Sequence, residues 1–324
     1  MATARPDGER PGRVIAELGA PRGRDLALIV AGGVAAGLFL AAVVAVAEPF
    51  PAFSLSPGQD ARSYWAATYA DPYAISVVGT QDFYPYSPAF LQVIAPLRAL
   101  PWAAFSAAWT SILLLALLAL TGPRLFLGGL VLALPELWGG NIHLLLALAV
   151  AAGLRQPAAW AFPLLTKVTP GIGLLWFALR REWRALGVAA AFTALVAGAS
   201  FLVSPAAWTD WARVLVENSG VAGGQMSRGA ALGSIGLPFF VRLPVAVWLV
   251  WWGARTGRPW VLPAAAMLAQ PLLWFGGLTL LLGAVPYLRG AAWARPARPA
   301  IDTAPVVAPP AVAPRSDEAG SAQR

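Results

Sequence analysis

The chain has no cysteine and a single histidine, His143, which excludes several kinds of site at once. Without cysteine there is neither a disulfide bond nor a thiolate metal site. One histidine offers little nitrogen for a metal ion, so carboxylates would have to hold any metal. Because it has no companions, we interpret His143 as a polar packing residue.

Charged residues are also scarce, at 12% of the chain, whereas 58% of the residues are hydrophobic. So few polar groups cannot cover a water-soluble domain of this size, and we expect lipid to be the main solvent. Apolar runs recur at the length of about 17 to 25 residues that a helix needs to cross a bilayer. The expected fold is an all-α integral membrane protein with about ten transmembrane segments, several of them short or broken.

The formal net charge is +8, but the arginines lie in short clusters at the ends of apolar runs. A protein that binds nucleic acid needs its cations together in an exposed groove, so we do not expect nucleic acid as a partner. The clusters instead predict topology, with both chain ends in the cytoplasm. Arg- and Ala-heavy usage with one lysine is consistent with the plasma membrane of a GC-rich bacterium.

The same pattern divides the chain into three parts. Residues 1–25 are Arg- and Pro-rich and are predicted to be a disordered cytoplasmic arm. Residues 26–288 are predicted to form the transmembrane domain, with the first span at 26–46. Residues 289–324 are Ala/Pro-rich without an amphipathic period, which predicts a disordered cytoplasmic tail.

The first predicted outer loop, residues 48–87, is dense in Tyr, Trp and Pro and carries Asp60 shortly before Tyr64 and Trp65. A long loop without repeats is more often functional than idle. A carboxylate at the membrane surface, beside aromatic rings that stack on a sugar, is suited to act as a general base. The alternative is that Asp60 only caps a helix N-terminus.

Lys167 is the only lysine in the chain and lies between two apolar runs. A cation within reach of the bilayer is expensive, which makes it a functional candidate. A compact ammonium suits a phosphate as a point charge, and a lipid-phosphate sugar presents such a group. A lysine in this place could equally extend its amine to the lipid headgroups.

The second predicted outer loop, residues 204–230, contains Arg228 at the entrance of an apolar run. The positive-inside rule disfavours arginine on the outer side, so Arg228 is a candidate functional residue. It could instead pair with Glu217 or with a lipid phosphate. Glu136, near the outer end of a short apolar run, has a similar ambiguity.

A series of short motifs follows in order along residues 60–286. They are Asp60 with Tyr64-Trp65, Asp71-Pro72-Tyr73, Tyr86-Ser87-Pro88-Ala89, Ala95-Pro96-Leu97, Gly140-Asn141-Ile142-His143, Lys167-Val168-Thr169-Pro170 and Pro271 to Trp274. In this order they resemble the polyprenol-phosphate-mannose-dependent mannosyltransferases of glycosyltransferase family 87, which have the GT-C membrane fold. The resemblance predicts a polytopic GT-C-type glycosyltransferase.

The resemblance implies transfer of a hexose, mannose by analogy, from a polyprenyl-phosphate carrier to a glycolipid or glycan acceptor on the extracytoplasmic face. By position Asp60 would be the general base of an inverting transfer, and Lys167 with Arg228 would bind the donor phosphate. The implied substrate-binding residues are Asp71, Tyr64, Trp65, Tyr86 and Asn141. No cofactor or metal is required by this scheme.

One departure from the family is that Phe275, Gly276 and Gly277 stand where its members often carry histidines. If those histidines handle the carrier phosphate, this chain must use other groups or another donor. The main alternative function is a transporter or lipid flippase, which also builds sites from broken helices and buried charges. Against it, the chain has no detectable repeat and its polar residues gather at the outer surface. A non-catalytic scaffold would leave the acidic first loop and Lys167 unexplained.

Overall fold

The structure is a computed structural model that describes residues 57–67, 71–75, 82–219 and 237–294. The predicted first span, the cytoplasmic arm before it and Arg228 lie outside these residues, as does the tail beyond residue 294. Every regular element within the described ranges is a helix, as the composition predicts.

The helices are numbered in chain order, with α for α-helices and η for 3-10 helices. They are α1 Gln59–Ala66, α2 Pro88–Val93, α3 Ala95–Arg98, α4 Trp102–Gly139, α5 His143–Gly153, η1 Pro157–Trp160, α6 Ala161–Thr166, η2 Thr169–Leu174, α7 Leu175–Leu179, α8 Trp183–Val203, α9 Pro205–Glu217, α10 Phe239–Thr256, η3 Pro259–Val261, α11 Leu262–Leu268, η4 Phe275–Ala284 and α12 Val285–Leu288. Many of the short helices carry proline at their first or second position, where its fixed φ fits and no N–H is needed. Short helices in series bring many helix ends, with their unpaired backbone groups, into apolar protein.

The longest helix, α4, spans 38 residues but is broken at Gly122, whose φ of 65° and ψ of 172° are not helical. A Cβ atom built at Gly129 would lie 2.6 Å from a Thr121 methyl and 3.1 Å from Leu117. In a continuous helix, residues eight and twelve positions apart would be about 12 and 18 Å apart along the axis. The second half of α4 therefore folds back along the first, and α4 is a helical hairpin.

Two helices of the described residues are long and apolar enough to cross a membrane, namely α4 and α8. The outer surface of α8 is strongly apolar, and its Leu195 and Leu202 are 66% and 83% exposed. An apolar surface of this extent needs lipid or another apolar partner to cover it. Both helices support a membrane protein, while the number of about ten segments stays a prediction.

The interior forms where α5 packs against η4 and the second half of α4, and where α11 packs against α10 and η4. Leu117, Ile142 and Leu146 are fully buried in this core. Because these helices are short, several of them end inside the core instead of at its surface. One group of buried polar side chains lies at a single place, between the ends of α4, α5 and α6.

Arg242 of α10 fixes one side of that place. Its guanidinium is buried and donates hydrogen bonds of 2.7 to 2.9 Å to four carbonyl oxygens, those of Leu237, Leu268, Gln270 and Pro271. Three of these carbonyls, those of Leu268, Gln270 and Pro271, belong to the C-terminal end of α11 and the turn after it, where intrahelical donors run out. Arg242 therefore holds the turn that presents the Gln270 side chain to the interior.

Candidate active site

A pair of glycines at the end of α4 leaves the space that Asp60 occupies. Gly140 ends the helix with a φ of 70°, a conformation that glycine adopts without strain. A Cβ at Gly140 would lie 2.7 Å from the Ala61 side chain, and one at Gly139 would lie 3.0 Å from Asp60 Oδ2. The glycines therefore allow α1 to approach the backbone closely and place the Asp60 carboxylate against the end of α4.

A chain of neutral hydrogen bonds leads to that carboxylate, and we call it the Asp60 branch. The Asn141 side chain donates to Asp60. Its Oδ1 accepts from the Tyr86 hydroxyl at 3.4 Å and from the Ile142 N–H at 2.7 Å. The Tyr86 oxygen in turn accepts from the Tyr64 hydroxyl at 3.0 Å, since its own proton points to Asn141. Both tyrosines are buried, so the branch is enclosed by protein.

Burial raises the pKa of Asp60 above the ordinary value for an aspartate, and the positive charge of Lys167 and the hydrogen bond from Asn141 oppose that rise. A raised pKa makes the carboxylate a better proton acceptor once it is ionised. The alternative of a helix cap does not hold, because the N-cap of α1 is Gly58 and no side chain caps it. The Asp60 carboxylate lies within the first turn of α1 and does not cap the helix.

A second chain of hydrogen bonds, the Lys167 branch, starts at Glu136 in α4. Glu136 Oε1 accepts from the backbone N–H groups of His143 and Leu144, which caps the N-terminus of α5. Glu136 Oε2 lies 2.7 Å from His143 Nδ1. His143 Nε2 lies 2.9 Å from Lys167 Nζ and 3.1 Å from Gln270 Oε1. Glu136 and His143 are both fully buried.

The backbone around Lys167 is strained in a way that fixes the side chain. Val168 has a φ of 53° and a ψ of −61°, and the Thr169 N–H donates to the Lys167 carbonyl oxygen at 2.6 Å. This is a γ-turn with positive φ, which is rare, above all at a β-branched residue. Such strain persists only where surrounding contacts impose it. Since the amine bonds to the buried His143, Lys167 points into the protein and not toward lipid headgroups.

The structure thus brings together Asp60, Tyr64, Tyr86, Asn141 and Lys167 from the sequence prediction. Trp65 instead donates from its indole nitrogen to the Leu100 carbonyl oxygen at 2.9 Å and packs against Trp102, so its contacts anchor α1. Asp71 is exposed and accepts from the Tyr73 N–H at 3.3 Å in its own turn. Arg228 lies outside the described residues.

Sequence reasoning missed Gln270 and undervalued Glu136 and His143. The interpretation of His143 as packing considered only metal companions, whereas its actual partners are a carboxylate, a lysine and an amide. A usable signal exists for Glu136 and His143, because both flank the Gly-Gly break of an apolar run. Within the described ranges, no three His, Asp or Glu side chains are grouped as a metal ion would require.

A comparison with known protein families agrees with the predicted resemblance. A sequence model of Glycosyltransferase family 87 matches residues 83–282, more than half of the chain. The chain belongs to glycosyltransferase family 87. Membership confirms the predicted resemblance and makes the protein a glycosyltransferase, with a sugar donor and an acceptor. No curated protein and no solved structure matches it.

The match covers the whole Lys167 branch, together with Tyr86 and Asn141, while α1 and its Asp60 precede it. It also covers Gly276 and Gly277, where the family resemblance led us to expect histidines. A Cβ at Gly276 would lie 3.2 Å from Glu136 Oε2, and one at Gly277 would lie 3.5 Å from Gln270 Oε1. Side chains there would enter the cluster that the Asp60 branch and the Lys167 branch form together, which contains His143. This family 87 member therefore brings its imidazole to the cluster from α5.

Proposed function

We propose that the chain transfers a hexose, in the first instance mannose, from a polyprenyl-phosphate carrier to a glycolipid or glycan acceptor. The observation that supports this is a carboxylate of raised pKa, Asp60, in one cluster with the chain's only lysine, Lys167. Transfer to a hydroxyl needs a proton acceptor near the attacking oxygen and a cation near the leaving phosphate. One residue of the cluster suits each task.

The chemical step follows from these two charges. Asp60 takes the proton of the acceptor hydroxyl, and the oxygen attacks the anomeric carbon from the face opposite the phosphate. The bond from that carbon to the phosphate oxygen breaks, and the electron pair leaves with the polyprenyl phosphate, so the configuration inverts. The Lys167 ammonium stabilises the charge that grows on this leaving group, and Arg228 is proposed as a second cation.

The residues around Asp60 and Lys167 are proposed to orient these two charges and to contact the substrates. The Asp60 branch orients the carboxylate through Asn141, and the apolar core around it strengthens each electrostatic interaction. Trp65 and Asp71 are proposed to contact the substrates at the outer face of a bacterial plasma membrane. Both chain ends then lie in the cytoplasm, as the arginine clusters predict.

The decisive experiment is a comparison of donors in membranes that contain the wild-type chain. Labelled mannose is supplied either on polyprenyl phosphate or on a nucleotide, and label in glycolipid and glycan is counted. We expect incorporation from the lipid-linked donor without a nucleotide intermediate, and its loss in Asp60→Asn. Incorporation from the nucleotide sugar alone would contradict the proposal. A flippase would move the carrier without forming a glycosidic product.

A further inference from the structure

The ring of His143 is held at both of its nitrogens, and this determines where its proton lies. Glu136 Oε2 can only accept, so Nδ1, 2.7 Å away, carries a hydrogen. The Lys167 ammonium can only donate, so Nε2, 2.9 Å from Nζ, must offer a lone pair. While Lys167 is an ammonium, the contact between histidine and lysine therefore requires a neutral ring that is protonated on Nδ1. Gln270 Oε1, 3.1 Å from the same Nε2, can only accept, so in this state the Gln270 amide turns its NH2 group, which has no hydrogen-bond partner among the described residues, toward the ring.

We propose that Glu136 and His143 are positioning residues that hold the Lys167 ammonium in place for the donor phosphate, and that they do so only while His143 is neutral. This inference rests on the proposed function, because it assigns a task to the Lys167 branch of the same site. Neither residue needs to touch the substrates. They act through the direction and the mobility of one ammonium group.

Protonation of His143 would disconnect the branch. Its Nε2–H would then face an ammonium 2.9 Å away, which places two donors and two positive charges together. The same N–H has another acceptor within reach, Gln270 Oε1 at 3.1 Å. Arg242 holds the backbone carbonyl of Gln270, which keeps the side-chain amide beside the ring as a second partner. The cluster can therefore hold Lys167 in one protonation state of the ring and release it in the other.

The charges that face His143 come from three elements. Glu136 lies on α4, Lys167 lies in the turn after α6, and Asp60 lies on α1 close enough for its charge to interact with the ring. Gln270, after α11, contributes a neutral amide. A bound phosphate adds negative charge beside the ammonium, so the state of the ring and donor binding are coupled.

Glu136→Gln is the most informative substitution, because it keeps the volume of the side chain. Its amide oxygen can still accept from the two backbone N–H groups that Glu136 caps. Its amide N–H then points at His143 Nδ1, which forces the ring proton onto Nε2. Lys167 then loses its acceptor, although the side chains of His143 and Lys167 are unchanged. The matched opposite is His143→Gln, whose amide oxygen can accept from Lys167 and does not titrate.

The test measures binding of a sugar-free polyprenyl phosphate to the detergent-purified full chain, from the shift of its thermal unfolding midpoint with ligand concentration. Measurements cover roughly pH 5 to 8, the range in which histidine side chains change charge. The phosphate itself titrates near pH ~6, so the readout is the difference between the wild type and His143→Gln. Thr279→Val is the control, since its buried hydroxyl has no hydrogen-bond partner among the described residues.

We expect Glu136→Gln to bind about tenfold more weakly or worse, as expected for a lost hydrogen bond to a charged group. Thr279→Val should bind like the wild type. His143→Gln should lose less affinity on acidification than the wild type does. Wild-type affinity in Glu136→Gln would overturn the inference. If that variant does not fold, equal pH dependence in His143→Gln and the wild type would overturn it.

Failure of the inference is separable from failure of the proposed function. A wild type that transfers mannose, with variants that bind polyprenyl phosphate normally, would overturn the positioning of Lys167 and leave the enzyme intact. A wild type that binds polyprenyl phosphate with the expected differences between variants, but forms no glycosidic product, would support the positioning and overturn the transferase.

Discussion

The Asp60 branch and the Lys167 branch meet near the break between α4 and α5, and they are built differently. The first consists of neutral hydroxyl and amide groups that end at a carboxylate. The second begins at a carboxylate, passes through one imidazole and ends at an ammonium. Asn141 belongs to the first branch and His143 to the second. These two residues are two positions apart, at the break between α4 and α5.

This difference predicts how well each branch tolerates the loss of one hydrogen bond. Asn141 Oδ1 accepts from Ile142 as well as from Tyr86, so the amide stays oriented if one donor is lost. In the Lys167 branch, by contrast, the ring of His143 is the only described link between Glu136 and Lys167, and a change in its protonation interrupts it. We therefore expect changes at the two charged ends to have the largest effects on transfer, and changes within the neutral branch to have the smallest.

The largest effect is expected from Asp60→Asn, which removes the proposed proton acceptor and keeps the shape of the side chain. General-base catalysis contributes about 10²- to 10⁴-fold, so transfer should fall by at least ~100-fold. The measurement is the initial rate of label transfer from the lipid-linked donor. The control is Asp210→Asn, an exposed carboxylate on α9 paired with Arg213 at 3.1 Å. A surface pair of that kind contributes little, so its rate should be unchanged.

The same substitution should make the protein more stable at neutral pH. The folded chain raises the pKa of Asp60 by burial, so folding favours the protonated form. Stability from this group is present below the unfolded pKa and is lost as the pH rises through the folded pKa. An uncharged asparagine escapes that loss. A higher unfolding midpoint together with lost transfer would identify a catalytic carboxylate, whereas a lower midpoint would indicate a structural one.

The next largest effect is expected from Lys167→Met, which keeps a long unbranched side chain and removes the charge. Loss of one group that stabilises developing negative charge lowers kcat by about 10²- to 10³-fold. The Lys167 charge also opposes the rise in the pKa of Asp60. Its removal should shift the acidic limb of kcat/KM toward higher pH. A rate that falls without that shift would mean that Lys167 and Asp60 do not share one site.

Much of this site could be predicted from rare residue types in unusual places. Asp60 stands out as a carboxylate ahead of an aromatic pair, and Lys167 as the only lysine of an arginine-rich chain. The all-helical structure, with two helices able to cross a membrane, agrees with what the apolar composition and the length of the apolar runs predict. These inferences needed only local sequence, because the energetic cost of an isolated charge near lipid does not depend on the tertiary fold.

The rest of the site depends on contacts that local sequence does not contain. His143 and Gln270 are 127 positions apart, and a glutamine at the end of an apolar run gives no sign of a partner. The turn at Gly122 in α4 has a local signal in the Gly122-Pro123 pair, but the packing of Gly129 against Thr121 has none. The close approach of α1 to the end of α4 likewise depends on two glycines whose neighbours come from elsewhere in the chain.

The smallest effect is expected from Tyr86→Phe, which removes the middle hydroxyl of the Asp60 branch and keeps the ring packed against Tyr64 and Phe90. A neutral hydrogen bond contributes modestly, so transfer should fall by only about 2- to 10-fold. Tyr287→Phe is the control, since its hydroxyl bonds to the Ala151 carbonyl oxygen outside the cluster at 2.8 Å. If Tyr86→Phe instead lost as much transfer as Asp60→Asn, the hydroxyl would have to contact the reacting groups. The neutral branch would then be part of the chemistry, and the two branches would no longer differ in kind.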